Sequence, residues 1–175
     1  MLRPGRPPSD TRQGRVNHAS RTPMRWQSPS NPYVLPMTVI ADDIDDQGIA
    51  NNVSILGWMI RASVAHSVAA GYDWVAYRKL GAMFVVRRHE IDYHRSALLG
   101  DELLLTTWTT FMKAATSHRH HEIVRPRDGA VIARGINVWA FVDSQSGKPQ
   151  RMPQAVLDAF DPAAFVFDKD SKKQP

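Results

Sequence analysis

At 175 residues the chain has the size of one domain, long enough to bury a core without disulfides or metals. Its 43% hydrophobic and 22% charged residues are the balance of a globular protein. The absence of cysteine excludes a disulfide scaffold, a thiol nucleophile and a thiolate metal site. No apolar run is long enough to cross a bilayer, and the N-terminus lacks the apolar core of a secretory signal. The expectation is a soluble, cytoplasmic protein. The net charge of +5 is uneven, because Arg3, Arg6, Arg12, Arg15, Arg21 and Arg25 face a single acid, Asp10, in the first 30 residues. A near-neutral remainder argues against a nucleic-acid-binding domain.

Residues 1–32 are rich in Pro, Arg, Ser and Gln, and too poor in large apolar residues to offset the entropy of ordering. They read as a disordered tail. The alternatives are a start further along the chain, at Met24 or Met37, and a basic targeting segment, against which Pro4, Pro7 and Pro8 weigh. A folded domain is expected over 33–167, with a frayed end at 168–175.

Within that domain Val34–Ile40 reads as a strand, and Pro36 places its first part at an edge. An acidic turn follows, Ala41 to Asn52. Val53 to Ala70 then carries apolar residues at helical spacing, with Ile55, Leu56, Met59, Ile60 and Val64 among them. So apolar a helix is expected to be buried on most sides. Asn51 or Asn52 can cap its start and Gly71 can end it. Asp73–Leu80 is a shorter helix. The period then changes to two, giving strands at Ala82–Tyr93, Glu102–Met112, Thr116–Arg125 and Ala130–Val142, the last two joined by the hairpin signal Asp128-Gly129. In the last strand Ile132, Ile136, Val138, Ala140 and Val142 alternate with Asn137 and Trp139, so the apolar set is expected to face the core. Pro153 opens a final short helix. The sum is α+β: one antiparallel sheet with one buried helix against a face.

The stretch Asp43-Ile44-Asp45-Asp46-Gln47-Gly48-Ile49-Ala50-Asn51-Asn52 resembles the active-site segment of the 4-hydroxybenzoyl-CoA thioesterase-like hotdog proteins. Shared features are an Asp-x-Asp, a Gly three residues after the second Asp, an Asn-Asn pair and then the central helix. Ile91-Asp92-Tyr93 followed by Gly100-Asp101, and Trp139 to Pro153 with Gly147-Lys148-Pro149, continue the likeness over residues 34 to 155. The chain departs from many relatives in having Ile49 where they have His.

The resemblance implies a hotdog fold, acyl-CoA thioester hydrolysis and no cofactor. Asp45 would be nucleophile or general base. The amides at the helix start, around Gly48, Ile49, Asn51, Asn52 and Val53, would receive the developing oxyanion. Trp58 and Trp74 are candidates to border the acyl pocket. Lys148 and Arg151 are candidates for the CoA phosphates, with Arg125 and Arg127 as second choices. An acyl-carrier-protein thioester, or acyl-CoA binding without catalysis, are the competing functions. His118, His120 and His121 read as a polar strand face rather than a metal site, and Arg87, Arg88 and His89 as surface or interface residues. An open sheet edge implies a homodimer or homotetramer; neither nucleic acid nor membrane is expected as a partner.

Overall fold

The computed structural model describes residues 32–160. Chain order is β1 (Tyr33–Thr38), a single 3-10 turn (Ala41–Asp43), α1 (Asn52–Ala69), α2 (Trp74–Leu80), β2 (Ala82–Tyr93), β3 (Glu102–Lys113), β4 (Thr116–Arg125), β5 (Ala130–Asp143) and α3 (Gln154–Ala159). The five strands form one sheet in the order β1-β3-β4-β5-β2, antiparallel at each pairing. β1 is an edge strand, where Pro36, lacking an amide hydrogen, is tolerated. β2 is the opposite edge, so the chain crosses the whole sheet through α1 and α2 before returning. Each of the four long strands lies within a residue of its expected bounds.

Local chemistry fixes the ends of α1. The side chain of Asn51 accepts a hydrogen bond from the Ser54 amide at 2.8 Å, and Gly71, at φ +84°, takes the left-handed conformation that turns the chain away after the last helical turn. α2 is capped in the same way, Asp73 accepting from the Ala76 amide at 2.8 Å.

The core lies between α1 and the sheet. Ile55, Trp58, Met59 and Ala62 of the helix meet Leu103, Leu105, Ile123 and Ala133 of the strands. A second cluster, Ala82, Phe141, Met152, Val156 and Phe160, fills the end of the sheet where α1 finishes. α1 is not buried on most sides. Its exposed face carries Val53 at 78%, Val64 at 55% and Val68 at 53% exposure. Apolar composition states how much surface a helix can bury; here one sheet covers one face only. Among the described residues no single helix is long and apolar enough to cross a membrane, and α1 and α2 meet that test only jointly, across a 71° bend.

β5 also corrects the sequence reading. Ile132 joins the core under α1 and Ile136, Ala140 and Val142 are buried as expected, but Gly135, Asn137 and Trp139 also lie on the α1 side. Gly135 lies directly under Met59 of α1: a Cβ there would stand 2.8 Å from Met59 Sδ and 3.2 Å from the Glu90 carbonyl oxygen. Gly135→Ala is therefore expected to destabilise the fold by about 1–3 kcal/mol, the usual range for overpacking a tight core. A urea midpoint unchanged from wild type would refute this close approach.

Candidate active site at the acidic turn

The acidic run folds back on itself. Asn51 N–H donates to the Asp43 carbonyl at 2.8 Å, Ile44 and Ala50 form an antiparallel bridge, and Asp45 N–H donates to the Ile49 carbonyl at 2.9 Å. Gly48 closes the tip at φ +78°, donating to the Asp45 carbonyl at 2.9 Å. Asp45 thus sits opposite Ile49, which lies three residues before the first residue of α1, within about 10 Å of it along the chain.

The rival carboxylates separate by their partners. Asp43 is committed to structure: one oxygen accepts the Trp58 indole N–H at 3.0 Å and the other the Ile40 amide at 3.1 Å. Half-buried Asp45 accepts the Gln47 amide at 2.8 Å on Oδ1, leaving Oδ2 without a protein donor among the described residues. Asp42 and Asp46 do not share this position at the neck of the turn: Asp42 is exposed, and Asp46 lies beyond Asp45 toward the tip.

The helix start divides similarly. The Ala50 amide donates to the Ala97 carbonyl and the Asn51 amide to Asp43. Those of Ile49, Asn52 and Val53 have no acceptor among the described residues, and Asn52 and Val53 are exposed. A free carboxylate oxygen and free helix-start amides therefore share one short segment.

Behind the turn stands Asp101, 2% exposed. Its carboxylate takes Arg125 at 2.7 Å, Arg127 at 2.8 Å and the Leu98 amide at 2.9 Å. Burial alone would raise its pKa; the Leu98 amide and the two guanidinium groups outweigh that and hold it below the ordinary carboxylate value. Arg125 and Arg127, second choices for CoA phosphate, are engaged here instead.

The remaining candidates lie elsewhere. Trp58 is core beneath the turn, whereas Trp74 lines a cavity of about 240 Å³ at the other end of α1. Lys148 and Arg151 are exposed and follow β5, whose 14 residues span on the order of 40 Å from the acidic-turn end. One chain thus does not unite Asp45 with Trp74, Lys148 or Arg151. Helix and strands each run the length of the domain, so segments before and after them land at opposite ends.

Sequence reasoning missed the polar layer under α1. Ser117, Arg119 and His121 of β4 are buried and point to the helix. Asn137 Nδ2 donates to His121 Nε2 at 3.1 Å, placing the imidazole proton on Nδ1, which has no acceptor among the described residues, and Asn137 Oδ1 meets His89 Nδ1 at 2.8 Å. Arg119 donates to His66 Nδ1 at 2.7 Å. His118 and His120 lie on the other face, against Phe111 and Trp108. Among the described residues no three His, Asp or Glu side chains are grouped to hold a metal ion.

The fold and this turn define a hotdog-type domain, an antiparallel sheet packed against one long helix. Residues 39–160 match the family model described as the thioesterase-like superfamily, and the chain belongs to that superfamily. Among solved structures, a 1,4-dihydroxy-2-naphthoyl-CoA thioesterase from Synechocystis is 18% identical, with a TM-score of 0.69 over 74% of this chain and 96% of its own. A thioesterase from Thermus thermophilus, in complex with coenzyme A and Zn, is 27% identical, with a TM-score of 0.63 over 73% and 90%. A DHNA-CoA thioesterase from Staphylococcus aureus is 17% identical, with a TM-score of 0.64 over 76% and 85%. Comparison with curated proteins gives no match.

The buried histidines set an acid limit on stability. Burial, and secondarily Arg119, lowers His66 to about 4; burial, and secondarily His118, lowers His120 to about 4; and His121 lies well below 6.5. Unfolded, each binds its proton near 6.5, so the unfolded state takes up more protons between about 6.5 and 4. Stability is full above that window and is lost as pH falls through it, before Asp101, with its ordinary value of 3.8, begins to contribute. The urea midpoint is expected to be lower at pH 5 than at pH 7; equal midpoints would mean that these rings are solvated.

Proposed function

We propose that the chain is a thioester hydrolase acting on an acyl-CoA, of the 4-hydroxybenzoyl-CoA thioesterase-like kind, with Asp45 as its reacting carboxylate. The observation that carries this is the pairing of the unengaged Asp45 Oδ2 with unclaimed amides at Ile49, Asn52 and Val53. Superfamily membership and the thioesterases among its structural neighbours supply the reaction class.

The carboxylate removes a proton from water as the oxygen attacks the thioester carbon, and the amides receive the charge gathering on the carbonyl oxygen. The tetrahedral intermediate then expels the thiol, which takes up the proton. Direct attack by Asp45, giving a mixed anhydride that water cleaves, balances equally and needs the same geometry. With Ile49 in place of an imidazole, the carboxylate carries the proton transfer alone.

Lys148 and Arg151 suit the CoA phosphates, but in one chain they stand at the far end of the sheet from Asp45. The β2 edge offers the remedy. Antiparallel pairing of β2 with β2 of a second copy would set the acidic-turn end of each chain beside the Trp74 and Lys148 end of the other. We therefore place the site between the subunits of a homodimer, itself able to double to a tetramer, working in a reducing cytoplasm.

The test is thiol release from aromatic, short-chain and long-chain acyl-CoAs. Asp45→Asn is expected to lower turnover about 100-fold or more without changing the melting temperature. Asp43→Ala, which frees the Trp58 indole and the Ile40 amide, is expected to lower the melting temperature. Equal turnover by wild type and Asp45→Asn would remove the assignment. Release from an acyl carrier protein but from none of the CoA esters would redirect it to carrier-bound substrates.

A further inference from the structure

The cavity of about 240 Å³ beside the C-terminal half of α1 is built unusually. Its exposed lining is Val64, Val68, Trp74 at 64% exposure and one acid, Asp73, whose Oδ1 accepts the Ala76 amide at the start of α2. Its buried lining includes Ser63, Ser117 and Arg119. The mouth is mostly apolar with Asp73 at its rim, and the floor is polar and cationic.

Arg119 makes the floor specific. It is 7% exposed, and among the described residues it has no carboxylate partner. One of its guanidinium nitrogens donates to His66 Nδ1, and its carbon lies 5.4 Å from the centre of the Phe160 ring. A guanidinium has five N–H donors, so most are unspent. His66 cannot serve as a counter-ion, since an imidazole is neutral or cationic. Removing a charge from water is costly without an opposite charge beside it. Here the fold has already desolvated the cation, so an entering anion meets a preorganised partner.

We propose that this cavity binds a small amphiphilic carboxylate, its carboxylate on Arg119 and its apolar body running out past Val64, Val68 and Trp74. The volume corresponds to about eight water-sized groups, which suits a medium-chain monocarboxylate with its tail end at the mouth. Within one chain the site stands apart from the acidic turn, at the other end of an 18-residue helix about 27 Å long; in the proposed β2-paired dimer this end lies beside the partner's acidic turn, yet carboxylate recognition by Arg119 does not rest on the hydrolase reading. A carboxylic acid is also the class of product that thioester hydrolysis releases.

Titration of the full chain with octanoate and with octan-1-ol, followed by calorimetry or by the fluorescence of Trp74 and Trp139, separates charge from grease. Wild type is expected to bind octanoate at least about tenfold more tightly than octanol, the size of effect a buried charge-assisted hydrogen bond supports. Arg119→Met, which keeps the volume and removes the charge, is expected to abolish that preference. Equal affinities in wild type, or a persisting preference in folded Arg119→Met, would overturn the proposal. If Arg119→Met does not fold, Val64→Trp obstructs the mouth from the surface; undiminished octanoate binding by it would also overturn the proposal. Asp45→Asn is expected to bind octanoate as wild type does, and loss of binding there would move the ligand to the acidic turn and overturn this assignment, whatever that variant does to turnover.

Discussion

The acidic turn depends on one buried carboxylate. Asp101 joins the Leu98 amide to the guanidinium groups of Arg125 and Arg127, and so ties the β2–β3 connection to the β4–β5 hairpin. That connection holds the turn at both ends: the Val39 amide donates to the Asp101 carbonyl, and the Ala50 amide to the Ala97 carbonyl. Breaking a buried ion pair by removing one partner costs on the order of 3–5 kcal/mol, because the other charge stays behind. Here the loss would also release the segment carrying Asp45. A half-buried carboxylate with a free oxygen is steady because a hidden one behind it is fully satisfied.

From that anchor the division of labour among the acids follows. Asp43 and Asp45 are two residues apart and chemically identical, yet Trp58 and Ile40 claim both oxygens of the first, while among the described residues only Gln47 donates to the side chain of the second. Hydrogen-bonded carboxylates hold geometry; a carboxylate with a free oxygen can accept a proton. The turn thus contains its own scaffold and the carboxylate proposed to react, drawn from one short motif.

Much of this was legible from residue order. Period-two patterning located four long strands, Asn51 and Gly71 marked the ends of α1, and the Asp-x-Asp to Asn-Asn motif pointed to the turn. What escaped reading was direction across the fold. Along β4, polar residues occupy both faces, so alternation could not tell that Ser117, Arg119 and His121 turn inward. On β5 the aliphatic residues read as the core set and most of them are buried, but the pattern did not show that Gly135 and Asn137 also lie under α1. Trp58 and Trp74 looked equivalent, and Lys148 and, as a second choice, Arg125 both read as candidates for the CoA phosphates, because spacing along a chain does not state which end of a strand of about 40 Å a residue reaches. The exposed valines of α1 likewise record a face that the described residues leave uncovered.

The inward face of the sheet changes character along its length, and this accounts for where the space lies. Near the acidic turn, Leu103, Leu105, Ile123 and Ala133 present aliphatic surface to Ile55, Trp58 and Met59, and side chains of that kind pack to high density. Toward the other end Asn137, His121 and Arg119 come beneath Ser63 and His66, groups that demand partners in fixed directions and cannot slide into gaps. Arg119 meets α1 through one directional bond, to His66 at 2.7 Å, and lies over the Phe160 ring, and Ser67 spends its hydroxyl on Tyr77 at 2.8 Å. A polar layer packed by directional bonds leaves volume where an aliphatic one would collapse. The cavity at this end, and the tight aliphatic packing under the acidic turn at the other, are two consequences of the same strands changing from Leu and Ile to Asn, His and Arg along their inner face.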